Sequence, residues 1–107
     1  MTQTKMDALQ TEASDLEQEI ARLAVHADAL TTALGEFDHQ ARRYRDALER
    51  AGGRSREAER ALAALRENQD LAGRDRAAAR STLDALRDRL AAIQARIAAL
   101  PGPGGRI

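Results

Sequence analysis

Apolar residues recur along this chain at alternating steps of three and four. From Met6 the steps land on Leu9, Ala13, Leu16, Ile20, Leu23, Ala27, Leu30, Leu34, Phe37, Ala41, Tyr44, Leu48 and Ala51, every one apolar or aromatic. A 3.5-residue repeat held over so many turns predicts a left-handed coiled coil, with Met6 the first a position and Leu9 the first d position. A second series runs through Ala58, Leu62, Leu65, Gln69, Ala72, Arg76, Ala79, Leu83, Leu86, Leu90, Ile93, Ile97 and Leu100. It is apolar at both ends and weak in the middle, where Gln69 and Arg76 fall on the seam.

Between the series stand Gly52 and Gly53. Each glycine inside a helix costs about 1 kcal/mol relative to alanine, so the pair is the strongest turn signal before the tail. The chain therefore divides into an N-terminal cap segment at 1–4, a helix at 5–51, a turn at 52–54, a second helix at 55–100 and a flexible Pro/Gly tail at 101–107. Thr4, with Asp7 three residues on, is placed to cap the first helix, and Ser55 the second, with Glu57 and Glu59 in its opening turn. The fold class is all-α, two long helices forming an antiparallel coiled-coil hairpin. The heptad phase nevertheless continues across the glycines, with Ala51 at d, Ser55 at a and Ala58 at d. A continuous helix in an antiparallel dimer needs that continuity, and a turn does not.

Charge supports the fold-back. Residues 1–51 carry 6 basic and 10 acidic side chains, a net of −4, and residues 52–107 carry 11 and 7, a net of +4. Folding about Gly53 sets Ile20 against Leu86, Leu16 against Leu90 and Leu9 against Ile97. Beside the seam it sets Glu12 by Arg96, Glu19 by Arg89, Glu17 by Arg87, Asp38 by Arg66 and Arg45 by Glu59, all opposite in sign. The same fold-back collects Gly35, Gln69, Gly73 and Arg76 at one level, with Leu71 off the seam. These four residues form a candidate hinge or docking level, or simply a looser stretch whose polar a residues set register.

Composition adds mostly exclusions. The chain has one Phe, one Tyr and no Trp, too few large side chains for a compact globular core. Net charge is zero, there is no cysteine, and no apolar run has the length of a membrane span. The N-terminus lacks the apolar stretch of a classical signal peptide. His26 and His39 face different directions, so no metal site is expected. Carboxylates on solvated helices have no pocket to tune them, so no catalytic residue, cofactor or small-molecule substrate is expected. Arg74, Arg76 and Arg80 are interspersed with Asp70, Asp75 and Asp84, with no aromatic platform for base stacking, so a nucleic-acid-associated protein is a third alternative, behind a scaffold and a secreted hairpin. Lys5 is the only lysine among 17 basic residues, a bias typical of a high-GC bacterial genome.

The second arm carries alanine at the outward positions 63, 64, 77, 78, 85, 91, 92, 98 and 99. Small side chains permit close helix approach, so a second seam and a four-helix bundle of two hairpins are open to it, although alanine is also the best helix former for an exposed face. The architecture resembles the WXG100 family of secreted bacterial proteins, helical hairpins of about this length that pair into four-helix bundles. That family's Trp-x-Gly turn would fall at Ala51-Gly52-Gly53, where the Trp is missing. Its export signal would need an acidic residue four after Tyr44, where Leu48 stands. The resemblance implies, as an alternative, a hairpin secreted by a type VII system. The leading expectation is a cytoplasmic, non-enzymatic scaffold or adaptor that binds partner helices and forms homo-oligomers.

Overall fold

Alanine, leucine, arginine and glutamate are strong helix formers, and no β-branched run interrupts them. The computed structural model of the chain, which describes residues 2–101, has two α-helices, α1 (Thr2–Arg50) and α2 (Arg56–Ala99), and no strand among those residues. They form an antiparallel helical hairpin. The chain divides into two units, one joining Met1–Val25 to Arg80–Ile107 and the other comprising His26–Ala79.

The turn explains why the helix cannot run on. The Gly53 amide donates to the Leu48 carbonyl at 2.8 Å and the Gly52 amide to the Glu49 carbonyl at 3.0 Å. This crossed pair is the Schellman arrangement, with Ala51 as C-cap and Gly52 as C′. Gly52 and Gly53 both have positive φ, 69° and 76°. That region is disfavoured for any residue with a Cβ and closed to a continuing right-handed helix. The continuous rod is therefore not the form this chain takes, although its heptad phase would permit one. Ser55 then opens α2. Its Oγ accepts from the Ala58 amide at 3.2 Å and its carbonyl from the Glu59 amide at 3.0 Å. Glu57 and Glu59 in the first turn favour the positive end of the helix dipole.

The outer ends differ in part from expectation. α1 already includes Thr2, Gln3 and Thr4, so Thr4 is inside the helix rather than a cap. Asp7, its expected capping partner, accepts instead from Gln3 Nε2 at 3.2 Å, an i,i+4 pair that supports one more helical turn. α2 ends at Ala99 with a tighter bond from the Leu100 amide to the Ile97 carbonyl at 3.2 Å. Pro101 follows, which has no amide hydrogen to give and disfavours helix in the residue before it. The expected tail lies outside the described residues from Gly102 onward.

Candidate interaction surface

The seam is the surface the two arms use on each other. Buried apolar residues are Leu9, Ala13, Leu16, Ala27, Ala41, Ala58, Leu62, Leu65, Ala72, Ala79, Leu83 and Ile93. All are a or d positions, and half are alanine, so the arms touch through small side chains. Met6, Ile20, Leu23, Leu30, Leu34, Phe37, Leu48, Leu86, Leu90, Ile97 and Leu100 are half-buried. Away from the seam, the half-buried residues all stand beside it: Glu12, Ala24, Ala33, Asp38, Ala47, Ala61 and Gly73. Tyr44 departs from the pattern. Expected on the seam, it is 40% exposed. A phenol keeps its hydroxyl wet where it can, and its neighbours Ala47 and Leu48 are the half-buried residues at that level.

In the first unit, Leu9, Ala13, Leu16 and Ile93 form a buried cluster against which Leu86, Leu90, Ile97 and Leu100 pack. Leu9 and Leu16 thus share a cluster with their expected partners, Ile97 and Leu90. Among the described residues one ion pair crosses between arms, Arg89 Nη2 to Glu12 Oε1 at 3.2 Å, with side chains 63% and 42% exposed. Arg89 was expected on Glu19, one heptad later, and Glu12 on Arg96. At this exposure several long-side-chain rotamers compete within about 1 kcal/mol, so periodicity fixes the flank but not the partner. Beside this cluster, Lys5, Ala8, Leu9, Arg96, Ala99 and Leu100 line a shallow open groove.

In the second unit, Ala41, Leu62 and Leu65 form the buried cluster, with Phe37 against it. The expected pairs Asp38 with Arg66 and Arg45 with Glu59 do not form. Asp38 instead pairs with Arg42 on its own helix at 3.0 Å, where the i,i+4 geometry presents a partner directly. The candidate hinge residues Gly35, Gln69, Gly73 and Arg76 all fall in this unit, and both helices run through them unbroken. A Cβ at Gly35 or Gly73 would meet nothing within 4 Å, so neither glycine is there to admit a close approach. Arg76, half-buried on the seam, reaches across to Thr31. Its Nη1 donates to Thr31 Oγ1 at 3.5 Å, while that hydroxyl donates to the Ala27 carbonyl at 3.1 Å. Nothing in the residue order singles out Thr31 beyond its place beside the seam.

The remaining features are outward. Each of the outward alanines of α2 is exposed, as are His26 and His39. Val25 and Leu71 are large apolar residues in water, 69% and 53% exposed. Gln40, Arg43, Tyr44, Asp46, Ala47 and Arg50 line an open depression on α1 near the turn. Among the described residues no three His, Asp or Glu side chains gather closely enough to hold a metal ion, and no helix is long and apolar enough to cross a membrane. Compared with protein-family models, curated proteins and solved structures, the chain matches none.

Proposed function

We propose that the protein is a non-enzymatic scaffold or adaptor, acting in the bacterial cytoplasm by packing partner helices, or another copy of itself, against its hairpin. The observation that carries this reading is the incomplete burial of the seam. After both arms have packed, Leu23, Leu30, Leu34, Leu48, Leu86, Leu90 and Ile97 remain only half-buried. Apolar area removed from water contributes about 25 cal/mol per Å², so a further helix laid alongside gains what two helices alone leave unused. Small neighbours favour such an approach: Ala24, Ala33, Ala47 and Ala61 flank the seam where long charged stems would otherwise cover it.

The test is photo-crosslinking in the expressing cell from a benzophenone side chain introduced at Ala78 or Ala85, both exposed on α2. A discrete protein adduct, heterologous or a homodimer, is expected from at least one site. No adduct from either site, nor from a third label at Ala47, would overturn the reading. Fractionation of the same cells separates a cytoplasmic from a secreted protein.

A further inference from the structure

The outer end of the first unit keeps two cations that its own residues do not neutralise. Lys5 of α1 and Arg96 of α2, both exposed, stand on opposite arms and line the groove with Ala8, Leu9, Ala99 and Leu100. Among the described residues neither takes part in an ion pair. A charge on a helix finds its partner three or four residues away. Those places hold Met1, Thr2, Ala8 and Leu9 around Lys5, and Ala92, Ile93, Ala99 and Leu100 around Arg96. Across the seam, periodicity offers Glu12 to Arg96, but that carboxylate goes to Arg89 at 3.2 Å. Asp7, the other acidic residue at this end of α1, accepts from Gln3 on its own helix.

Between the cations the surface is apolar. From Leu90 to Leu100, Arg96 is the only charged residue, and Ala91, Ala92, Ala95, Ala98 and Ala99 are exposed. Leu9, buried, and Leu100, half-buried, are the large apolar residues of the groove. An apolar trough with a cation on each arm is complementary to an apolar ridge with a carboxylate on each side. An amphipathic helix with acidic flanks presents such a ridge, and alanine in the contact allows a short distance between helix axes.

Other occupants fit these residues less well. A phosphate backbone would gain the two cations and nothing from an apolar groove without an aromatic to stack on. A lipid surface takes Leu, Phe or Trp on the inserted face, and the exposed apolar residues here are alanine. A second copy would offer its acidic α1 stretch. The exposed residues between its Asp7 and Asp15 include Gln10, Thr11 and Ser14, polar groups that lose water against Leu9 and Leu100 without a partner there.

We infer that this groove receives an acidic amphipathic helix of another protein, with its apolar ridge on Leu9 and Leu100 and its carboxylates on Lys5 and Arg96. This rests on the helix-binding reading above and narrows it to one end of the hairpin and one chemistry of partner. The test uses two synthetic peptides of about 18 residues, stapled as helices because short free ones fray. Both carry the same leucine ridge, flanked by glutamates in one and by lysines in the other. Each is titrated to roughly 1 mM into the full chain while backbone amide shifts are followed by NMR. The glutamate peptide is expected to shift Ala8, Ala99 and Leu100 and the lysine peptide to leave them in place. Lys5→Glu and Arg96→Glu should each weaken the glutamate peptide about fivefold at low salt, without loss of helical circular dichroism, since both side chains are exposed. The double variant should bind the lysine peptide instead. Arg22→Glu, an equal change of charge at an exposed position of the same unit, should alter neither. Equal binding of both peptides, binding of neither, or the same loss from Arg22→Glu overturns the proposal. So does self-association of wild type that Lys5→Glu abolishes, which gives the groove to a second copy, or sedimentation with phosphatidylglycerol vesicles that Arg96→Glu abolishes when the glutamate peptide shifts nothing. The photo-crosslinking experiment, with its labels at other positions, decides the helix-binding reading independently of these results.

Discussion

Replacing Gly52 and Gly53 together by alanine should convert the hairpin into a longer, domain-swapped assembly. A Cβ added at either glycine meets no atom within 4 Å, so the penalty is one of backbone conformation and not of crowding. An L-residue held at φ of 69° or 76° costs roughly 1–2 kcal/mol. Each alanine also favours the straight helix by about 1 kcal/mol over glycine. The two effects sum to about 4–6 kcal/mol per chain, or about 8–12 kcal/mol per pair of chains. The opposing term is the loss of translational and rotational freedom on joining two chains, about 4–15 kcal/mol at standard state. These are comparable, so the variant should assemble with rising concentration while wild type keeps its hairpin. The unbroken heptad phase lets the straightened helix keep an unbroken seam, now against a second chain. Multi-angle light scattering should show added mass, and small-angle scattering a maximum dimension approaching ~147 Å, the length of one straight helix over Thr2–Ala99 at 1.5 Å per residue. Gly52→Asn alone should remain a hairpin, because asparagine tolerates the left-handed region. A double-alanine variant with wild-type mass and dimension at every concentration, changed only in melting temperature, would refute the reasoning.

Ser55→Ala removes the acceptor for the Ala58 amide and should cost about 1 kcal/mol, seen as a lower thermal midpoint, with Ser55→Asp restoring most of it. A double-mutant cycle on Glu12 and Arg89 should give a coupling of about 0.2–1 kcal/mol at low salt, both side chains being well exposed, and the coupling should vanish as salt is raised. A zero coupling at low salt would mean the pair does not form in solution. Arg76→Leu puts an apolar residue at a half-buried seam position and should raise the melting temperature, because a polar residue at an a position holds register at a cost in stability. In wild type, amide exchange should be faster over 68–76 than over 83–97, and uniform protection along α2 would remove the case for a soft level there.

Much of the hairpin could be read from residue order, because burial imposes a period. The step of three and four marks the side of each helix that must leave water, and the buried residues of both arms lie on it, from Leu9 to Ile93. The glycine pair and Ser55 were legible for a similar reason: few residues accept a left-handed backbone or offer a side-chain oxygen to an open helix end. Thr4 misled because the helix already includes Thr2 and Gln3, and the Gln3–Asp7 bond lies within that added turn. The ion pairs were the least legible. Pattern gives the flank and sign of Glu12, Glu19, Arg89 and Arg96, but the rotamer of an exposed arginine is settled by differences of a few tenths of a kcal/mol. Tyr44 fits the repeat by position and leaves it by chemistry, since a period cannot register that one end of the ring prefers water. The candidate interaction surface was legible as a list of outward alanines and seam-flanking positions; how incompletely the seam is buried was not.

The turn also orders events in time. Residues within the second unit pair across a short loop, whereas those of the first pair only after all of His26–Ala79 has been drawn in. Loop-closure entropy rises with the length enclosed, so closure starts at the Schellman turn and proceeds outward. On the ribosome this leaves α1 complete but alone while α2 is still being made, for several seconds at about 5–20 residues per second. For that interval the nascent chain carries an apolar stripe from Met6 to Leu48 with nothing to cover it. Substitutions at Leu62 should therefore slow folding, and those at Ile93 should chiefly hasten unfolding.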